Sequence, residues 1–334
     1  MIKVEHISKT FQVARRNPGL SAAFRALFNK RYEKILALND ISFSIPDGEM
    51  VGYIGPNGAG KSSTIKVLSG ILTPDSGTCE INGRTPWKNR IEHVKDIGVV
   101  FGQRSQLWWD VPVIDSFELL RDIYKVPNLE YEDKLDELIT LLNLGDIIRT
   151  PARQLSLGQR MRCEIAASLL HNPKILFLDE PTIGLDAVSK IAVRDFIIDI
   201  NKYHNTTVIL TTHDMQDIEA LTKRIILIGK GKILMDGNLN DMKNQFGGYR
   251  TLTIEYVGGH IGLLDGMSFI NNTYRTDEQG IITNGHAEIN IDTEAIPISD
   301  VIASLTKQVD IKDMVVTGAS IDEVVVKLYQ QYEI

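Results

Sequence analysis

Short apolar runs alternate with longer segments of helical periodicity through the first two thirds of the chain. Ile2 to Val4 reads as a short strand, and Asp40 to Ile45 as a second, with Ile41, Phe43 and Ile45 alternating with Ser42 and Ser44. Pro46-Asp47-Gly48-Glu49 supplies a turn. The runs Met50–Ile54, Ile97–Phe101, Ile175–Leu178, Thr207–Thr211 and Arg224–Ile228 are separated by helical patterns, a rhythm that predicts an α/β domain with a largely parallel sheet. Helical periodicity replaces it between Arg104 and Ala167, as in Leu135, Leu138, Leu141 and Leu142, so a helical subdomain is expected there. Ile226–Ile228 and Lys232–Met235 form a hairpin that closes this domain near residue 237.

Residues 238–248, ending in Gly247-Gly248, read as a linker. Beyond it, strands at Thr251–Tyr256, Ser268–Tyr274, Ala287–Ile291 and Val315–Thr317, with helices at Ile298–Val309 and Ile321–Tyr332, predict a small α+β domain over 249–334. One early segment breaks the rhythm. From Ala14 to Lys34, Leu20, Phe24, Leu27, Phe28 and Arg31 recur at helical spacing, and six basic residues stand against Glu33 alone.

Composition narrows the class. The 334 residues carry 43% hydrophobic and 24% charged side chains, enough apolar material for a sizeable core. A formal charge of −7 argues against a protein that coats nucleic acid, and no nucleic-acid partner is expected. No run approaches the roughly 18 apolar residues that cross a bilayer, and the first residues lack the apolar core of a signal peptide. Cys79 and Cys163 give neither a disulfide framework nor metal spacing, which fits a reducing cytosol.

The chemistry is local. Gly55-Pro56-Asn57-Gly58-Ala59-Gly60-Lys61-Ser62 fits the phosphate-loop pattern G-x-x-x-x-G-K-[ST], and it leaves an apolar strand and enters the helical stretch that begins at Ser63. Glycines let the backbone turn tightly and aim its N–H groups at phosphate oxygens, and the helix N-terminus adds partial positive charge. Lys61 is the candidate for the β- and γ-phosphates, and the Ser62 hydroxyl for Mg²⁺. The apolar run Ile175–Leu178 delivers Asp179 and Glu180 at its carboxyl end, where open α/β sheets bind ligands. Asp179 is the second candidate for the metal. Glu180 is the candidate general base for an attacking water. The pair of motifs predicts a nucleoside triphosphatase.

Leu155-Ser156-Leu157-Gly158-Gln159 resembles the signature sequence of ATP-binding-cassette (ABC) proteins, with Leu157 where the commonest family pattern has glycine. In the same order and spacing, Gln103 resembles the family's Q-loop glutamine, Gly184-Leu185-Asp186 its D-loop, and His213 in Thr211-Thr212-His213-Asp214 its switch histidine. The resemblance covers residues 1 to about 237. It implies a P-loop cassette that hydrolyses ATP with Mg²⁺, the metal held by Ser62, Gln103 and Asp179, with His213 near the γ-phosphate. It also implies a dimer of two copies, each nucleotide lying between one copy's phosphate loop and the other's 155–159 signature. For the aromatic residue that stacks on adenine, Tyr32 is the first candidate and Phe11 the alternative.

Three kinds of family member compete: a transporter subunit, a soluble protein acting on a non-transport macromolecular partner, and a chromosome or repair ATPase. Two-cassette translation proteins do not fit one cassette, and no heptad run separates Lys61 from Ser156 as a coiled-coil ATPase requires. The segments Val99–Asp110 and Gln154–Arg162, with the basic insertion, resemble a bacterial subfamily paired with separate ABC-2-type membrane subunits, mostly exporters. That resemblance implies work at the cytoplasmic face of the cell membrane. Trp108 and Trp109 are candidates for the surface that docks those subunits, and the basic stretch 14–34 for contact with anionic lipid.

Overall fold

A computed structural model describes residues 1–14, 32–102, 104–246, 248–293, 295–318 and 321–332. The apolar stripe of Leu20, Phe24, Leu27, Phe28 and Arg31 in the basic stretch, with its lipid reading, lies outside the described residues, and so does Gln103. The chain divides into two compact units, Met1–Gly237 and Asn238–Ile334.

In the first unit the strands are β1 (Ile2–Ala14), β2 (Tyr32–Ile45), β3 (Met50–Ile54), β4 (Ser76–Ile81), β5 (Ile97–Phe101), β6 (Ile175–Asp179), β7 (Thr207–Thr211), β8 (Arg224–Gly229) and β9 (Lys232–Asn238). The helices are α1 (Lys61–Leu68), α2 (Arg90–Val94), α3 (Val113–Tyr124), α4 (Asn128–Leu141), α5 (Leu157–Leu169), α6 (Ala187–His204) and α7 (Met215–Leu221). A six-stranded sheet runs in the order β5-β6-β7-β3-β8-β9, with parallel pairing from β5 through β8. β7 is buried at every position and β6 at all but its last, as expected of parallel strands covered on both faces. Parallel strands share an orientation, so the chain after Ile54, Phe101, Asp179 and Thr211 emerges along one edge of this sheet.

A second, antiparallel sheet packs β1 between β2 and β4. Here the sequence expectation falls short. β1 does not stop at Val4, nor does β2 begin at Asp40: the two stay paired, through register shifts between Val4 and Thr10, as far as Ala14 opposite Tyr32. Backbone pairing carries both strands past the point where the apolar alternation ends. β4, SGTCEI, was not expected, because only Cys79 and Ile81 of its six residues are buried. Ile2, Val4, Ile41, Ile45, Cys79 and Ile81 join Tyr53, Ile65 and Phe177 in one core. The helical subdomain comprises α3, α4 and α5.

In the second unit, α8 (Leu239–Phe246) is followed by β10 (Tyr249–Gly258), β11 (Met267–Thr276), β12 (Ile282–Asp292), α9 (Ile298–Gln308), β13 (Asp310–Gly318) and α10 (Ile321–Gln331). Residues 238–248, expected as a linker, thus hold a helix, which buries Leu239 and Met242, three residues apart. The antiparallel sheet runs β11-β12-β10-β13. Leu252, Ile254 and Tyr256 on β10 and Ala287, Ile289 and Ile291 on β12 alternate inward and pack with Val301 and Leu305 of α9. Among the described residues no helix is long and apolar enough to cross a membrane.

Candidate functional site

The phosphate loop spans β3 and α1. Gly60 is the N-cap of α1, at φ +116° and with no side-chain cap, and a β-carbon there would lie 2.7 Å from the Ala37 carbonyl oxygen. Only glycine meets both demands, so the first-turn N–H groups of α1 open onto the loop without a competing side chain. Lys61 folds back over it and donates to the carbonyls of Gly55 at 2.6 Å and Pro56 at 3.1 Å. Burial lowers the Lys61 pKa, an effect opposed by the charges of Glu180 and Asp179.

Adjacent strand ends supply the acidic groups. Asp179 ends β6 opposite Thr211, the last residue of β7, whose hydroxyl donates to Asp179 Oδ1. The Ser62 hydroxyl donates to Asp179 Oδ2 at 3.2 Å. Glu180 has φ +55°, rare for a residue with a full side chain and a strain of roughly 1–3 kcal/mol; its N–H donates to the Thr211 carbonyl at 2.8 Å. The Glu180 carboxylate lies 3.4 Å from His213 Nδ1.

Lys61, Ser62, Asp179, Glu180 and His213 line one cleft of about 900 Å³. So do Gly55, Pro56, Asn57, Gly58, Gly60 and Ser63; Ala59 is buried, its N–H donating to the Pro56 carbonyl. Gly102 and Arg104, which flank Gln103, also line it. Sequence reasoning missed Ile35, Leu36 and Arg104. The first two are half exposed apolar residues at the cleft, and two neighbouring exposed apolar side chains in a strand were the available signal. It also missed Thr211 as the partner of Asp179, although the residue had been placed at a strand end. The Tyr32 side chain is outside what is described. Phe11 stands directly opposite Ile35 across the β1–β2 pair and therefore shares its face.

The signature segment does not line its own chain's cleft, and neither does Gly184-Leu185-Asp186. Ser156 is the N-cap of α5 in a capping box: its hydroxyl accepts from Gln159 N at 3.2 Å, and Gln159 Oε1 accepts from Ser156 N at 2.9 Å. Leu155 precedes the cap in extended conformation. A β-carbon on Gly158 would lie 2.4 Å from Ser189 Oγ, so this glycine lets α5 approach the start of α6. Leu157 stands over Gly184, with its Cδ2 2.9 Å from where a β-carbon there would be. Leu185 is buried, and Asp186 caps α6 by accepting from Ser189 N at 2.9 Å. Trp108 and Trp109 are about half exposed, and the Arg160 guanidinium lies 5.2 Å above the Trp109 ring.

Comparison with known proteins agrees with this fold. The model of the ABC transporter family matches residues 38–183. The daunorubicin resistance ATP-binding protein DrrA3 of Streptomyces coeruleorubidus is 33% identical over 233 residues, covering 70% of this chain and 73% of that one. A methionine import ATP-binding protein, MetN 2 of Enterococcus faecalis, is 35% identical over 219 residues, 64% of this chain and 63% of its own. ABC transporter A family member 1 of Dictyostelium discoideum is 31% identical over 245 residues, 72% of this chain, but the match spans 28% of that longer protein. A solved dimeric ATP-binding cassette in a post-hydrolysis state, bound to ADP and Pi, superposes with a TM-score of 0.60 at 26% identity, covering 72% of this chain and 99% of that one. The fold is that of a P-loop cassette. The chain belongs to the ATP-binding-cassette (ABC) transporter family.

Proposed function

We propose that this chain is the ATP-hydrolysing subunit of an ABC transporter and that it drives separate membrane-spanning subunits. One observation carries the reading: Lys61, Ser62, Asp179, Glu180 and His213 converge on a single cleft, with Ser62 and Asp179 in contact. In this role the α1 amides and Lys61 bind the phosphates, Glu180 accepts a proton from the attacking water, and His213 holds that water against the γ-phosphate. Ser62 Oγ and Asp179 Oδ2 are hard oxygen donors side by side, a set that suits Mg²⁺. Ser62, Asp179 and Gln103 would hold the ion, which when bound neutralises phosphate charge. Register opposite Ile35 supports Phe11, beside Tyr32, as a candidate for the ring that stacks on adenine.

The signature does not line its own chain's cleft, which supports a dimer of two copies, each completing the other's site through Ser156 and Gly158. The exposed Trp108 and Trp109 support docking of membrane subunits of the ABC-2 type at that surface. Relatives named for resistance and for import match at similar identity, so the export direction rests on segments 99–110 and 154–162. Uptake by inverted vesicles carrying the copurified membrane subunits tests it.

The central test is a pair of variants. Glu180→Gln is expected to bind ATP, lose at least about 100-fold in turnover and accumulate an ATP-bound dimer. Lys61→Ala is expected to lose nucleotide affinity instead. Full turnover by Glu180→Gln overturns the assignment of the base.

A further inference from the structure

Lys190 and Arg194 stand four residues apart on α6 and therefore share a face. Opposite them, Asp214 caps α7 and Asp217 lies in its first turn. Lys190 Nζ donates to Asp214 Oδ2 at 2.5 Å, and Arg194 Nε donates to Asp217 Oδ1 at 2.6 Å. Asp217 is fully buried. Its second oxygen accepts from the hydroxyls of Thr182 and, at 3.4 Å, Thr212. The Thr212 hydroxyl in turn accepts from Asp214 N at 3.0 Å.

These bonds converge on the two short segments that carry Glu180 and His213. Thr182 follows Glu180 by two residues, and Thr212 and Asp214 bracket His213. None of the four charged residues lines the cleft. The Lys190–Asp214 pair is a quarter exposed on each side. Burial pushes the Asp214 carboxyl upward, but the bond and charge of Lys190 outweigh it and hold the group below the usual carboxylate range. The Arg194–Asp217 pair is different, since Asp217 without Arg194 would be a buried, uncompensated charge.

We propose that Lys190 and Arg194 form a two-point clamp that positions His213 against Glu180 for hydrolysis, through Asp214 and Asp217. The four residues are positioning residues and do not touch the nucleotide. The clamp rests on the ATPase reading of the cleft. Its physical basis is distance: His213 Nδ1 and the Glu180 carboxylate are 3.4 Å apart, at the limit of a hydrogen bond. Displacement of a catalytic group by about 1 Å can cost on the order of 100-fold in rate.

The test compares Lys190→Met, Lys190→Arg, Arg194→Lys, His213→Ala and the Lys190→Met/His213→Ala double variant in the full chain. ATP affinity is measured by calorimetry, turnover by phosphate release, and folding by thermal melts. Lys190→Met is expected to bind ATP within a few-fold of wild type and lose about 10- to 100-fold in kcat. Lys190→Arg should recover most of that loss. In the His213→Ala background, Lys190→Met should cost less than about twofold more, because the group it positions is gone. Arg194→Lys keeps Asp217 paired while giving up the planar fork, so its loss should fall in kcat and leave ATP affinity unchanged. Turnover near wild type in Lys190→Met, or losses that multiply in the double variant, would overturn the clamp while leaving the ATPase reading intact. Wild-type turnover in His213→Ala would remove the assigned role of His213 and the clamp with it.

Discussion

Leu157 occupies the signature position where the commonest family pattern has glycine, and restoring that glycine gives a measurable test of its packing. Leu157 is the first residue of α5 and is 36% exposed, so nearly two thirds of its surface is covered. Fully burying a leucine is worth roughly 1.5–3 kcal/mol, which puts its share here at about 1–2 kcal/mol. Glycine also has a poorer helix propensity by up to ~1 kcal/mol. Leu157→Gly should therefore destabilise the first unit by about 2 kcal/mol. The tryptophans, Trp87, Trp108 and Trp109, all lie in that unit, so urea unfolding followed by their fluorescence reports on it without contribution from the second. Ser156 and Gln159 keep their capping box in the variant, and ATP affinity of the monomer should be unchanged. A stability change below about 0.5 kcal/mol, the range of ordinary surface substitutions, would refute the contact between Leu157 and the Gly184 turn.

Two further outcomes follow from buried or paired groups. Burial raises the Glu164 pKa despite bonds from Ser105 and from the backbone of Gln106, so its contribution to stability is full below the unfolded value near 4.5 and is lost as pH rises through the folded value. Glu164→Gln should thus raise the melting temperature at pH 7.5 and give no gain at pH 4.5; an equal loss at both would contradict it. Phe11→Ala should weaken ATP binding by roughly 1–3 kcal/mol, the range for base stacking on an aromatic ring; unchanged calorimetric affinity there, with that loss in Tyr32→Ala instead, would assign the ring to Tyr32.

The parts of the fold most legible in the sequence were those where local chemistry and tertiary demand coincide. The strand before Gly55 is buried on both faces and reads as an apolar run, and the loop after it needs glycine at Gly60 for backbone reasons visible in the letters. The extensions of β1 and β2 were hidden because register, not side-chain alternation, sustains Phe11–Ala14 against Tyr32–Ile35. The helix at Leu239–Phe246 was hidden behind the following Gly247-Gly248, which reads as a linker while Leu239 and Met242 pack inward. At the cleft, the motif residues were named one by one from local patterns. Their anchors were not: Thr211, Asp217 and Arg194 act through contacts between elements far apart in the chain, which no local pattern encodes.

The left-handed backbone at Glu180 explains how two consecutive acids serve one cleft. In a regular strand, neighbours face opposite sides of the sheet, and one of the pair would be lost to the far side. The step at φ +55° turns the chain out of β6 immediately after Asp179, so both carboxylates face the same space with no residue spent between them. The order of the two is thereby fixed. Asp179, the shorter, is held at the sheet edge by Thr211 and Ser62, and the longer Glu180 reaches from beyond the turn toward His213. Exchanging them would keep the charge and composition of the site. It would also place the long arm where the short one is gripped and leave the short one out of reach of the histidine.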